Sequence, residues 1–271
     1  MTRIWPAPAK LNLFLHVVGK RADGYHLLQT VFQFLDYADE IEFRVTDDGR
    51  LTRVEDVPGV PEAHDLTLRA ARLLQETTGT SRGVEIRLRK RVPAGGGLGG
   101  GSSDAATTLL ALNELWGLGL ARAELAALGL KLGADVPVFI GGLAAWAEGV
   151  GEQLTPIELA QPWYVVLSPP VAVSTAAVFQ GLELTRYSPA ITIRDFRAGR
   201  TRNDLEPAVR RQYPQVDQAL TWLSRFGEAR MTGSGGCVFV AVEDESEARA
   251  ILERAPFGGF VARGVNRHPL Y

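Results

Sequence analysis

Among residues 95–101 all but one are glycine, in the run Pro93-Ala94-Gly95-Gly96-Gly97-Leu98-Gly99-Gly100-Gly101-Ser102-Ser103-Asp104. Ordering such a run costs more backbone entropy than ordering any other. A fold that holds it in place must therefore use what glycine offers, positive φ and close approach of the backbone to a ligand. Its surroundings narrow the choice. Residues 84–90 alternate as a strand, with Val84, Ile86 and Leu88 against Glu85, Arg87 and Arg89. A helix is predicted over 103–116, ended by Gly117 and Gly119. A strand–glycine loop–helix unit gathers backbone N–H groups into an anion nest at the positive end of a helix dipole. Ser102 and Ser103 add hydroxyls, one able to cap the helix and the other to face a phosphate or Mg²⁺. A flexible linker with a serine cap fits the same letters, but the flanking strand and helix favour phosphate binding.

Several phosphate motifs can be compared with this loop. Gly95, Gly97 and Gly100 satisfy G-x-G-x-x-G, yet the dinucleotide fold needs a second strand ending in an acidic residue. Residues 122–132 carry another helical pattern instead. The P-loop needs a lysine after its last glycine, and none follows; the H-R-D and D-F-G sequences of protein kinases are absent.

Residues 9–18 read as a strand, with Leu11, Leu13, Leu15 and Val17 on one face and Lys10, Asn12, Phe14 and His16 on the other. Further strands are expected at 27–34, 40–45, 163–167, 229–232, 237–242 and 259–264. Helical patterns cover 65–77, 174–180, 203–211, 215–226 and 246–254, and Pro137 marks a helix start after Asp135. Mixed order and a compositional change at 149–162 predict an α+β chain of two domains, 1–152 and 153–271.

Composition limits the partners. Lys+Arg total 29 against 31 Asp+Glu, a net charge of -2, so the chain does not hold nucleic acid by bulk charge and must bind phosphate locally. The single cysteine, Cys237, excludes an internal disulfide and a cysteine-rich metal site, and fits a reducing compartment. The longest apolar stretch, 136–147, is too short for a bilayer and contains Pro137, Gly141 and Gly142. The opening Met1-Thr2-Arg3-Ile4-Trp5-Pro6 lacks the apolar run of a signal peptide. The expectation is a soluble cytoplasmic protein with no nucleic-acid or membrane partner.

The loop has two companions, Pro8-Ala9-Lys10-Leu11-Asn12-Leu13 and Thr232-Gly233-Ser234-Gly235-Gly236-Cys237-Val238-Phe239. Together, spread over almost the whole chain, they resemble the motifs of the GHMP small-molecule kinases. Further segments are similar to one branch, the diphosphocytidyl-methylerythritol kinases: Lys20-Arg21-Ala22-Asp23-Gly24-Tyr25-His26-Leu27-Leu28-Gln29-Thr30-Val31-Phe32, Leu132-Gly133-Ala134-Asp135-Val136-Pro137-Val138-Phe139 and Asn203-Asp204-Leu205-Glu206. The resemblance implies a two-domain GHMP kinase fold, with a ribosomal-protein-S5-like nucleotide domain and a C-terminal ferredoxin-like domain. It implies ATP and Mg²⁺ as cofactors and a small-molecule substrate with a cytidine diphosphate group. The implied reaction is phosphorylation of the 2-hydroxyl of the methylerythritol unit, in the nonmevalonate isoprenoid pathway. A monomer or weak homodimer is expected. The alternatives are a homoserine or mevalonate kinase of the same family, a nicotinamide-dependent oxidoreductase using the same glycines, and a non-catalytic nucleotide-binding module. The segment around Tyr25 and His26 argues against the first.

The resemblance also implies roles. Lys10 and Asp135 form the catalytic pair, Asp135 accepting the hydroxyl proton and Lys10 orienting that group and offsetting charge. Asn12 positions the substrate. Tyr25 and His26 bind the cytidine, and Phe179 closes its other face. Lys90, Pro93, Ala94, Leu98, the loop glycines, Ser102 and Ser103 hold the nucleotide. Each assignment has a plainer counterpart. Lys10 could lie on an exposed strand face, Asp135 could cap the helix before Pro137, Tyr25 could pack on a hairpin, and Lys90 could be a solvated charge beside Arg89 and Arg91. Asp65 stands where relatives often carry an asparagine near the adenine, and it can only accept a hydrogen bond. Ser103 is a candidate metal ligand without an identified carboxylate partner. His16 and His268 read as surface or packing residues, and Cys237 as a small buried apolar one.

Overall fold

A computed structural model describes residues 3–57, 60–180 and 187–271, so Met1 and Thr2 of the opening segment lie outside it. The chain begins with β1 (Ile4–Lys20) and β2 (His26–Thr46), a long antiparallel hairpin turned by residues 21–25. The strands expected at 27–34 and 40–45 are one strand, because residues 35–39 contain no glycine or proline to break it. There follow β3 (Leu51–Arg53), α1 (Leu66–Thr78), β4 (Gly83–Arg89), α2 (Gly100–Leu115), α3 (Arg122–Leu132), α4 (Val136–Gly141), β5 (Ala145–Glu148) and β6 (Gln153–Pro156). Helix α1 begins where the Asp65 carboxylate accepts the Thr67 N–H and ends at Gly79, φ 69°; Leu68, Ala70, Ala71 and Leu74 form its buried face.

β2 organises this half. β1 runs along one edge, while the other edge takes β5 at residues 30–32 and β4 at residues 40–46. Trp5, Phe34, Ile41, Leu74, Leu109 and Phe139 belong to the core between this sheet and the helices.

The second half contains β7 (Trp163–Leu167), α5 (Thr175–Gln180), α6 (Ile193–Arg197), α7 (Glu206–Gln212), α8 (Pro214–Leu223), β8 (Arg230–Met231), β9 (Val238–Val242), α9 (Glu245–Glu253) and β10 (Gly259–Val265). Its strands lie in the order β10-β7-β9-β8, all antiparallel. With helices after the first and third strands, this is the ferredoxin-like arrangement the resemblance implied. Its core, around Val165, Leu205, Leu220, Val240 and Ile251, also takes in Leu15 and Val17 of β1. β10 in turn pairs with Leu35 and Phe34 of β2. The two halves therefore share strands, and the seam between them is where β1 passes from one core to the other.

Along that passage β1 is irregular, with register shifts between Pro8 and Lys10 and between Asn12 and Leu15. Bulges of this kind re-aim side chains. The simple two-face alternation does not hold, because Leu11, Phe14 and Leu15 are buried in different clusters and His16 is also buried.

His268 is buried with its ring edge-on to Phe34 and Phe139, and its Nδ1 accepts the Leu270 N–H. Burial, with a smaller contribution from Arg122, lowers its pKa from 6.5 to about 4. A depressed histidine supports the fold fully above pH 6.5, and that support is lost as pH falls toward 4. The shift corresponds to about 3 kcal/mol. His268→Gln should flatten the fall in denaturation midpoint between pH 6.5 and 4; a parallel fall in both proteins would show that His268 does not drive it.

Candidate active site

One large cleft, about 1220 Å³, opens at the seam. That exceeds the ~300–1,000 Å³ of an ordinary small-molecule site and suits two ligands together. Lys10, Asn12, Tyr25, His26, Lys90, residues 93–102, Asp135 and Phe179 all line it.

The glycine loop takes positive φ at Gly95, Gly97 and Gly99, alternating with residues of ordinary φ, as in an anion nest. Its carbonyls are tied back into the protein. Gly96 O accepts the Cys237 N–H (3.0 Å), Leu98 O accepts the Lys10 N–H (2.9 Å), and Gly97 O accepts from Lys10 Nζ (3.0 Å) and Thr232 Oγ1 (3.2 Å). The second glycine motif thus packs its backbone against the first. Helix α2 begins at Gly100, earlier than expected, because Gly99 at φ 71° is the N-cap and makes no side-chain cap bond. The serine cap expected from the sequence is absent: Ser102 faces the cleft, while Ser103 lies buried inside the helix, its Oγ without a partner among the described residues.

Lys10 is 2% exposed, which rules out the open-face reading. β1 is covered on both sides, and the ammonium is held by Asn12 Oδ1 (2.5 Å), Gly97 O (3.0 Å) and Asp135 Oδ2 (3.2 Å), over the Phe32 ring. Asn12 is fixed in turn, donating from its backbone to Thr232 Oγ1 and from Nδ2 to Thr30 Oγ1, both at 2.9 Å. Asp135 occupies the N-cap position of α4 but makes no side-chain cap bond, so the capping expectation fails. Its carboxylate, about a third exposed, turns instead to Lys10 and the cleft.

At the other end the residues 21–25 turn presents Tyr25, 65% exposed, with its N–H bonded to Asp23. His26 stacks on Phe179, ring centroids 5.2 Å apart at 27°. Residues 153 positions apart in sequence are brought together as aromatic walls. Burial, then the Lys20 charge, lowers the His26 pKa, which favours a neutral imidazole able both to donate and to accept.

Lys90 is not a solvated strand-end charge. It sits between Asp39 and Asp104, 2.7 Å from the latter. Burial alone would lower its pKa, but the two carboxylates outweigh that and raise it. Burial pushes the Asp104 carboxyl well above the usual carboxylate range, Asp39 adding to the rise and Lys90 opposing it. Asp65 is committed: Oδ1 accepts the Thr67 N–H (2.9 Å) and hydroxyl (2.6 Å), and Oδ2 accepts from Arg53 (3.3 Å). Thr30, Thr232, Asp39 and Asp104 were not singled out from sequence. Thr30, Thr232 and Asp104 stand inside the motif segments and Asp39 in a strand, but none carries a local signal of the partner that the fold brings to it.

Residues 65–143 match the model described as GHMP kinases N terminal domain, and residues 190–259 match GHMP kinases C terminal. The chain is 60% identical, over 100% of its length and 98% of the relative's, to the 4-diphosphocytidyl-2-C-methyl-D-erythritol kinase of Thiobacillus denitrificans. It belongs to this family of GHMP kinases. A crystal structure of a 4-(cytidine 5'-diphospho)-2C-methyl-D-erythritol kinase superposes with a TM-score of 0.85 at 35% identity, covering 97% of this chain and 99% of that one. The mevalonate kinase of Methanococcus jannaschii, with a TM-score of 0.70 at 18% identity over 98% of this chain and 99% of its own, shares the fold alone. The kinase fold expected from the motifs is thus the fold observed. Among the described residues, no helix is long and apolar enough to cross a membrane.

Proposed function

We propose that this kinase transfers the γ-phosphoryl group of ATP to the 2-hydroxyl of 4-diphosphocytidyl-2-C-methyl-D-erythritol. The observation that carries the proposal is one cleft with the glycine loop, the Lys10–Asp135 pair and the Tyr25, His26 and Phe179 set on its walls. ATP lays its phosphates on the nest formed by residues 95–101. Lys10 stands between that nest and Asp135 through its bonds to Gly97 O and Asp135 Oδ2. The acceptor hydroxyl meets Asp135, which takes its proton, while Lys10 orients the oxygen and offsets charge on the transferred group. Asn12 keeps the Lys10 ammonium in place. Alignment and fixed charge are what phosphoryl transfer requires of a protein.

Mg²⁺ fits as a companion of the nucleotide. Among the described residues no group of at least three His, Cys, Asp or Glu side chains could hold a metal unaided. Mg²⁺ commonly takes one or two protein oxygens plus substrate phosphates. Ser102 and Asp135 face the cleft with oxygen donors, whereas Ser103 is buried away from it. When bound, the ion neutralises phosphate charge.

The proposal is tested by ADP release from Mg-ATP with the diphosphocytidyl compound, homoserine and mevalonate in parallel. Selective turnover of the cytidyl compound is expected; equal or greater turnover of another alcohol would overturn the substrate assignment. Base–aromatic stacking contributes about 1–3 kcal/mol, so Phe179→Ala should raise KM for the cytidyl substrate about tenfold or more. KM for ATP should stay within about twofold, since additivity holds for distant sites. A matching rise in both constants would place Phe179 outside the cytidine site.

A further inference from the structure

Asp39 lies in none of the motifs, yet it is completely buried in β2. Its Oδ1 accepts the backbone N–H groups of Arg91 (2.5 Å) and Val92 (2.8 Å), and its Oδ2 accepts from the Lys90 ammonium. Those three residues form the entry to the glycine loop. Beyond the loop, in the first turns of α2, Asp104 brings its Oδ2 to 2.7 Å from the same ammonium. One ammonium between two buried carboxylates therefore ties both ends of the glycine-rich segment together. Buried charges are retained only where they are paired, and charge-assisted bonds fix geometry more strongly than neutral ones.

We propose that Asp39 and Asp104, bridged by Lys90, are positioning residues that pin the two ends of the glycine loop and preform its nest. Lys90 acts on the nucleotide through loop geometry and is not itself a phosphate ligand. Closing the ends of a flexible segment removes conformations it would otherwise lose on binding, and preorganisation of this kind is gained as affinity. The inference rests on the assignment of the loop to ATP phosphates.

The test combines hydrogen exchange of the ligand-free protein with calorimetric binding of a magnesium–nonhydrolysable ATP analogue. The proteins are wild type, Lys90→Met, Lys90→Arg, Asp39→Asn and Asp104→Ala. Amides of residues 93–102 should exchange about tenfold faster or more in Lys90→Met, Asp39→Asn and Asp104→Ala, as expected when a local opening becomes easier. The analogue should bind about tenfold more weakly or worse in the same variants. Lys90→Arg, whose guanidinium can still bridge two carboxylates, should stay within about threefold of wild type in both readouts. Asp39→Asn combined with Lys90→Met should be no worse than the poorer single variant, because one node is being broken twice. KM for the acceptor should be unaffected throughout.

Normal loop exchange in Lys90→Met together with weakened analogue binding would make Lys90 a direct phosphate ligand and overturn the proposal. Tighter analogue binding by Asp104→Ala or Asp39→Asn would do the same. If Asp39→Asn does not fold, Lys90→Met and Asp104→Ala decide the matter. A wild type that binds the analogue but does not phosphorylate the cytidyl compound would fail the substrate reading alone, since neither readout involves the acceptor. A wild type that does not bind the analogue would overturn both.

Discussion

Asp135→Asn is expected to lower kcat with the cytidyl substrate by at least about a hundredfold, the lower range for a positioned proton acceptor. KM for ATP and thermal stability should change little. The structural duty of Asp135 is its pairing with the buried Lys10 ammonium, which an asparagine oxygen keeps as a hydrogen bond. It makes no cap bond at the start of α4, and its side chain is about a third exposed. Asparagine has the same shape and can still accept from Lys10, but it cannot take up a proton at neutral pH. Lys10→Ala should also lower kcat at least about a hundredfold, but with a loss of about 2 kcal/mol of stability, because it strips partners from Asn12, Gly97 and Asp135 in a buried setting. Steady-state kinetics and thermal denaturation of both variants check this. Near-normal turnover in either would remove that residue from the mechanism.

The second large effect is expected at Gly97→Ala. Gly97 has φ 74°, and a Cβ there would fall on the Thr232 carbonyl, 3.3 Å from Gly235 O as well. An alanine must therefore bear left-handed strain and push apart the two glycine motifs that meet at Cys237 N and Gly96 O. KM for ATP should rise about tenfold or more, with about 1–3 kcal/mol of stability lost. Gly117→Ala is the matched control, with φ 67° and open space around the added methyl. It carries the strain of about 1–2 kcal/mol without the collision, and should leave KM for ATP unchanged. Equal effects of the two substitutions on KM would show that the contact between the motifs is not needed for nucleotide binding.

The glycine loop, the strands and helices beside it, and Cys237 as a buried apolar residue were legible in the sequence because each rests on local composition or periodicity. The short elements β3, β5, β6 and α6 were missed, since three to five residues show no period. The start of α2 was misplaced because serines are common caps and a left-handed glycine cap leaves no polar side chain to notice. Lys10 illustrates a deeper limit. Its strand alternates cleanly in the letters, but bulges on either side of residues 10–12 and cover from both domains put a lysine in the interior. No local pattern connects Lys10 with Asp135, His26 with Phe179, or Asp39 with Lys90. The first two pairings came from resemblance; the third became visible only when β2 and the exit of β4 were seen side by side.

On the proposal above, this cleft joins the γ-phosphoryl group of ATP to the 2-hydroxyl of the substrate. Phosphorus NMR of the mixture after incubation with Mg-ATP and the diphosphocytidyl compound tests it most directly. The expected result is a new phosphomonoester resonance on the 2-oxygen, the cytidine diphosphate signals retained, ADP formed in equal amount, and all of this lost in Asp135→Asn. ADP accompanied only by inorganic phosphate, or a phosphoester at another oxygen, would contradict it.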